Sequence, residues 1–366
     1  MKAHRKQRRV LLKAAAGSGL AAVASAAGAQ SFPFMPNQRY PDPSVLILDP
    51  SFAKYRIYSS TVEQLGTGMR WAEGPVYFPE GRYLLCSDIP NNRLMKFDEV
   101  TSEFGVYKDN VNYANGNTRD RQGRLITCEH SVTRRVVRTE KDGTMTVLAD
   151  RFEGKRLNAP NDVVVKSDDT IWFTDPLFGI NGEWEGSKAT PEQATTNVYG
   201  IATDGTLTAV ITDLMNPNGL AFSPDEKKLY VVEWKGTPHR SIWSFDVADD
   251  GSVSNKTKLI DADGPGALDG FRLDRDGNLW CGWGFTGAFS PEATEVPGAM
   301  KAHLPLAKSE DLDGVKVFNA QGKPIGFIRL PERCANLCFG GPKNNRLYMA
   351  SSHSLYALYV EAQGAV

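Results

Sequence analysis

The stretch Gly266-Ala267-Leu268-Asp269-Gly270-Phe271-Arg272-Leu273-Asp274-Arg275-Asp276-Gly277-Asn278-Leu279-Trp280 decides the fold, because its layout recurs along the chain. An acid or amide stands before a small residue and an alternating apolar run. A turn of Asp, Gly, Asn or Lys follows, and a second apolar run begins about ten positions on, the pattern of a short β-hairpin. The same layout appears at Glu73-Gly74-Pro75-Val76-Tyr77-Phe78 before Tyr83-Leu84-Leu85, at Asn115-Gly116 before Arg124-Leu125-Ile126, and at Asn161-Asp162-Val163-Val164-Val165 before Ile171-Trp172-Phe173. It returns at Asn218-Gly219-Leu220-Ala221-Phe222 before Leu229-Tyr230-Val231 and at Asn336-Leu337-Cys338-Phe339 before Arg346-Leu347-Tyr348, making six copies.

Copies recurring every ~40 to 65 residues argue for one domain of equivalent units, although 366 residues would allow two or three domains. Each unit shows up to four short β patterns, as at 161–165, 171–174, 197–203 and 207–213, and no comparable stretch has a helical period. Six units of four antiparallel strands, none able to bury both faces alone, predict an all-β, six-bladed β-propeller over residues 51–362. After the last hairpin only one strand, 354–360, remains. The outermost strand of blade six is therefore expected from 55–64, joining the two ends of the ring and removing an exposed edge. Residues 30–50, rich in Pro, Asn and Asp, read as a linker or surface arm.

The formal charge of −1 hides an asymmetry, since residues 1–29 hold six basic residues and no acid. The remainder carries 36 Lys and Arg against 43 Asp and Glu, a balance near −7. Without a basic block there is no electrostatic reason to expect nucleic acid, and a small uncharged or cation-assisted substrate fits better. Residues 1–29 read as an export signal, with a basic start, a weakly apolar stretch and small residues at Ala27 and Ala29. Arg8-Arg9-Val10-Leu11-Leu12-Lys13 resembles the twin-arginine motif, with Gln7 and Leu11 departing from it. The apolar stretch falls short of the ~20 residues of a spanning helix, so no membrane span is expected in the mature form. The expectation is a periplasmic or secreted protein whose precursor uses the twin-arginine export machinery and folds before export. Cys86, Cys128 and Cys281 lie in second apolar runs, and Cys334 and Cys338 lack the spacing of a zinc site, so all five read as structural thiols.

In a propeller the innermost strands start at one mouth of the channel, so the residues that open the repeats converge: Glu73, Asn115, Asn161, Asn218, Asp269 and Asn336. Singly, such residues are turn formers. Together they would crowd an axis that needs hydrogen bonding or a cation. Two carboxylates with amide oxygens form a hard, all-oxygen set suited to one divalent ion, Ca²⁺ first and Mg²⁺ or Mn²⁺ next, and unsuited to Zn²⁺.

Glu73-Gly74-Pro75, Asn161-Asp162, Asn218-Gly219-Leu220 and Asp269-Gly270 resemble the regucalcin and gluconolactonase family of metal-dependent lactonases, over about residues 55–360. Cys128-Glu129-His130 and Phe173-Thr174-Asp175-Pro176 resemble its exported bacterial members more closely, and Ala159 stands where regucalcin-like members carry an Arg. The resemblance implies a divalent ion held by Glu73, Asn218 and Asp269, with Asn161 as a ligand or a substrate contact, and Asp269 as acid/base residue or nucleophile. It implies hydrolysis of a small sugar lactone. A different ester, phosphotriester or aryl, and a non-catalytic ligand-binding propeller are the alternatives.

Strand geometry adds residues that follow the second strand of each hairpin and should ring the pocket: Asp88, His130, Asp175, Trp234, Trp283 and Ser352. Asn115 and His130 are the expected substrate contacts beside Asn161. The insertion 178–196, with Trp184, reads as a lid or as a decorated hairpin.

Overall fold

The computed structural model describes residues 34–237, 239–287 and 306–365, so the export signal expected at 1–29 lies outside the described residues. Six antiparallel sheets of at least four strands form a six-bladed propeller. Blade 1 runs Ala72–Phe78, Tyr83–Asp88, Arg93–Asp98 and Phe104–Asp109, and blade 2 runs Ala114–Arg119, Leu125–Glu129, Arg135–Thr139 and Met145–Ala149. Blade 3 comprises Val163–Val165, Ile171–Asp175, Asn197–Ile201 and Leu207–Ile211; blade 4 comprises Pro217–Phe222, Lys228–Glu233, Ser241–Val247 and Val253–Asp261. In blade 5, Gly266–Leu273, Leu279–Phe285, Gly314–Phe318 and Pro324–Arg329 gain a fifth strand, Val45–Ile47. Blade 6 has Cys334–Gly340, Arg346–Ser351 and Ser354–Tyr359, closed by Glu63–Thr67.

Alternation along the strands sends side chains to both faces of each blade, and each face is buried against a neighbour. The apolar residues accordingly fall into six clusters, one per blade interface: Leu220 and Phe245 meet Trp172 between blades 3 and 4, and Trp283 and Phe318 meet Tyr230 and Ile242 between blades 4 and 5. All five cysteines are buried and unpaired, and burial raises their thiols, Cys338 to about 12, as structural thiols require. The hairpin turns are set by carboxylate or amide caps. Asp274 Oδ1 accepts from the amides of Asp276 and Asn278 while Gly277 takes φ of 80°, and Asp120 with Gly123 does the same.

Closure by an N-terminal strand follows the expectation, but the strand is Glu63–Thr67, not 55–64. Asp49 accepts from the Ser51 amide and Pro50 opens a 3₁₀ helix, Pro50–Tyr55, which removes that segment from the sheet. Asp42 then takes the Val62 amide at 2.9 Å, placing the chain to start pairing at Glu63. Within the expected arm 30–50, Val45–Ile47 edges blade 5, and Phe52 is sealed beneath it against Gly326, where a Cβ would come within 2.6 Å of the ring. The described helices are single turns, Phe178–Asn181 and Ser309–Leu312 besides the 3₁₀ turn, and none is long and apolar enough to cross a membrane.

Candidate active site at the channel mouth

A β-bulge interrupts the innermost strand of five blades at one place. The pairing skips between Glu73 and Val76, Ala114 and Asn117, Pro217 and Leu220, Leu268 and Phe271, and Cys334 and Asn336. A bulge bends its strand and re-aims a side chain, which turns the first polar residue of each repeat toward the axis. The small residue that follows lets neighbouring blades meet. At Gly74, with φ of 50°, a Cβ would lie 2.1 Å from the Asn115 carbonyl oxygen, and at Gly270 it would lie 2.1 Å from Asn336 Cγ. Gly116 and Gly219 stand similarly close to Asn161 O and Asp269 O. The acid-or-amide-then-small pattern is thus the signature of a ring of polar residues around a tight axis.

The structure brings Asn218 and Asp269 together: Asn218 Nδ2 donates to Asp269 Oδ1 at 2.6 Å. Glu73 Oε2 accepts from the Gly74 amide at 2.9 Å and from Asn336 Nδ2 at 3.0 Å. Asn336 Oδ1 accepts from the Leu337 amide, so this amide is spent on positioning Glu73. Asn115 and Asn161 are 3% and 5% exposed, yet neither side chain hydrogen-bonds a described residue, which leaves two sheltered amides available to a ligand. Burial raises Glu73 well above the usual carboxylate range, and the Asp269 charge adds to this. Burial also raises Asp269, with Arg333, Arg240 and Asn218 pulling it back.

Among the described residues no three His, Cys, Asp or Glu side chains converge as a metal group. The set here is two carboxylates with amide oxygens. Glu73, Asn161, Asn218 and Asp269 offer oxygen only, and two buried acids whose proximity raises the Glu73 carboxyl fit a divalent cation that would neutralise both.

Several residues expected on the pocket rim hold the scaffold instead. Asp88 is fully buried, caps the Arg70 amide and pairs with Arg93 at 2.9 Å. Asp175 accepts from the consecutive amides of Asn158 and Ala159, both at 2.8 Å, and so fixes the loop that carries Asn161. Trp283 is core between blades 4 and 5. Asp88 and Asp175 end their second strands beside loop amides, which need partners in the interior. Ser352 remains half-buried, its hydroxyl donating to Arg333 O. Trp234 stays at the mouth, half-buried, with Phe178 against its edge. His130 is fully enclosed: Nδ1 faces Pro160 O at 3.0 Å, and Nε2 lies 3.7 Å from Glu185 of the 178–196 insertion. Gly179 and Gly186 of the same insertion press on His130 and Ser131, so the insertion packs directly over this histidine.

Sequence reasoning did not single out four further residues. Arg333 Nη2 donates to Asp269 Oδ2 at 2.6 Å, and Arg240 Nη1 donates to the carbonyl of the preceding residue, Leu268, at 3.2 Å. Deeper in the channel, Arg272 of blade 5 reaches Asp162 of blade 3, both guanidinium contacts at 3.2 Å. Beyond this pair the far end opens into a cavity of about 480 Å³ lined by Pro75, Arg119, Phe222, Arg275 and Phe339. Asp162 and Arg272 stood inside quoted repeats and carried that signal; Arg240 and Arg333 sit in loops outside the repeat pattern.

Residues 71–353 match the family model described as the SMP-30/Gluconolactonase/LRE-like region. The chain is 27% identical over 331 residues to a gluconolactonase of Zymomonas mobilis, covering 84% of this chain and 83% of that protein. It is 25% identical over 290 residues to a pentonolactonase of Haloferax volcanii, with 78% and 83% covered. Among solved structures, a gluconolactonase from Xanthomonas campestris superposes with a TM-score of 0.72 at 32% identity, covering 86% of this chain and 94% of the other.

Proposed function

Because the chain belongs to the SMP-30/Gluconolactonase/LRE-like family, we propose that it is an exported, divalent-metal-dependent lactonase that opens a small aldonolactone such as gluconolactone. The observation that carries this reading is Asp269, a buried carboxylate held by Asn218 on one oxygen and Arg333 on the other. Glu73, Asn218 and Asp269, with Asn161, would hold the ion, Ca²⁺ by preference. When bound, such an ion polarises a carbonyl and makes nearby water more acidic. Asp269, a buried carboxylate at the channel mouth, takes the proton of the attacking water. Asn218 and Arg333 fix the plane of the carboxylate, so its orientation need not be reorganised during the reaction. The unpaired amides of Asn115 and Asn161 bind substrate oxygens. The attack adds hydroxide to the carbonyl carbon, the ring C–O bond breaks, and the departing alkoxide takes a proton to give the open hydroxy acid. The export part of the reading rests on the paired arginines and small residues of 1–29.

The test is lactone hydrolysis followed by proton release across a Ca²⁺ titration. Asn218→Ala should regain activity at high Ca²⁺, since it loses an oxygen and no proton acceptor. Asp269→Asn should stay ~10²–10⁴-fold slow at every Ca²⁺ concentration. Near-wild-type turnover of Asp269→Asn at saturating Ca²⁺ would make Asp269 a ligand alone.

A further inference from the structure

Asp269 is bracketed by a guanidinium from each neighbouring blade. Arg333, just before the innermost strand of blade 6, donates to Asp269 Oδ2 at 2.6 Å. Arg240, just before the third strand of blade 4, donates Nη1 to the Leu268 carbonyl at 3.2 Å, which anchors it one residue from Asp269. Both groups rest on aromatic faces. The Arg240 Cζ lies 4.2 Å from the Trp234 ring centroid, with Phe178 against the edge of that ring, and the Arg333 Cζ lies 5.6 Å from Trp71. The Arg333 stem is pressed on Gly284, where a Cβ would come within 2.4 Å of its Cγ.

Five sheltered arginines of this protein have their own acid: Arg93 has Asp88, Arg124 has Asp120, Arg135 has Glu129, Arg272 has Asp162 and Arg346 has Glu63, whereas the buried Arg134 is spent on the Leu157 and Asn158 carbonyls. Arg240 has no carboxylate within ion-pair distance among the described residues, and the Arg333 Nε is buried without a partner. Two nearby acids are engaged elsewhere. Glu185 lies against His130, and Asp313 accepts from the Phe285 amide at 3.2 Å. A divalent ion shared by Glu73 and Asp269 would match both of their charges, leaving two positive groups in surplus beside the reacting position. That surplus is local, since residues 30–366 are net acidic.

We infer that Arg240 and Arg333 form an anion subsite at the mouth, so that the preferred substrate is a lactone bearing a second acidic group, a carboxylate or a phosphate ester. This rests on the lactonase reading above and narrows its substrate class. A guanidinium stacked on an aromatic ring has its N–H groups fixed in one plane, the geometry that carboxylate and phosphate oxygens accept in pairs, and the described residues take only Nη1 of Arg240 and Nη2 of Arg333. A neutral sugar lactone would leave those donors without an anionic partner.

The experiment compares kcat/KM of the Ca²⁺-loaded protein for 6-phosphoglucono-1,5-lactone against glucono-1,5-lactone, and for glucaro-1,4-lactone against glucono-1,4-lactone. It uses wild type, Arg240→Gln, Arg240→Lys and Arg333→Gln. Wild type should favour one acidic lactone over its ring-matched neutral partner roughly 10-fold or more, and Arg240→Gln should cut that ratio roughly 10- to 100-fold, chiefly through KM. Arg240→Lys should keep part of the preference. The two pairs tell a phosphate subsite from a carboxylate one. A wild-type ratio at or below one overturns the inference, as does an Arg240→Gln variant that loses acidic and neutral substrates equally. Calorimetry with 6-phosphogluconate and glucarate separates the two readings: Arg240-dependent binding without turnover of any lactone supports the subsite and sinks the lactonase, and neither binding nor turnover sinks both.

Discussion

Asn218 and Asn336 open equivalent repeats, yet their amides are spent differently. Asn336 uses both ends on the protein, on Glu73 and on the Leu337 amide, whereas Asn218 donates to Asp269 and keeps its oxygen free of described partners. Glu73 therefore depends on Asn336 for its position and would supply negative charge that an amide cannot. Glu73→Gln should weaken Ca²⁺ binding roughly 10-fold or more, and unchanged affinity by calorimetry would remove Glu73 from the ligand set. Asp175 is the residue whose role the structure alone assigns. Burial lifts its carboxyl to about 7 against the Asn158 and Ala159 amides, which pull it down. The folded protein thus binds the proton more tightly than the unfolded chain, so the contribution of Asp175 is fullest at acid pH and is lost as pH rises from about 4 toward 7. The stability difference between wild type and Asp175→Asn should accordingly fall by at most ~1.4 kcal/mol per pH unit across that window. Urea melts at pH 4.5, 6 and 7.5 would measure it, and a difference that is flat or grows with pH contradicts the assignment.

Among the elements, the edge of blade 5 shows how a stretch of ordinary loop composition becomes structure. Val45–Ile47 pairs in register with Ile328, Phe327 and Gly326, and the 3₁₀ turn that follows delivers Phe52 onto Gly326 and Trp280. Tyr55 then donates to Asp276 at 2.6 Å, tying the turn to the hairpin whose sequence decided the fold. Phe52 is fully buried, so Phe52→Ala should cost about 3–5 kcal/mol in denaturant unfolding of the Ca²⁺-loaded protein. A loss under ~1 kcal/mol would mean that the N-terminal segment is decoration. The closing strand lies at Glu63–Thr67 because the cap at Asp49 and the Asp42 contact to Val62 use up the preceding chain, and neither contact leaves a local apolar pattern.

At the scale of the molecule, the net acidic charge and the Arg240 and Arg333 guanidinium groups beside Asp269 are separate facts, because a net charge averages over positions that the fold sets apart. Export is the prediction at this scale: replacing Arg8 and Arg9 together by lysine should keep the precursor inside the cell, with the mature chain otherwise beginning near Gln30. Undiminished export of that double variant, seen by cell fractionation, would remove the twin-arginine reading. The sequence by itself determined the propeller, its six repeats and the residues that open them, because strand alternation and turn chemistry are local and repeat with the blade. It also marked the polar ring, since the bulged inner strands of blades 1, 2, 4 and 5 carry an acid-Gly or Asn-Gly pair. Only the tertiary structure decided how that ring is used. Arg333 reaches Asp269 and Arg240 reaches the Leu268 carbonyl from loops with no repeat position, Asp162 meets Arg272 across 110 residues of chain, and Asp88 and Asp175 turn away to cap amides. These are contacts between segments far apart in sequence, and no periodicity within a segment can encode where the ring closes around them.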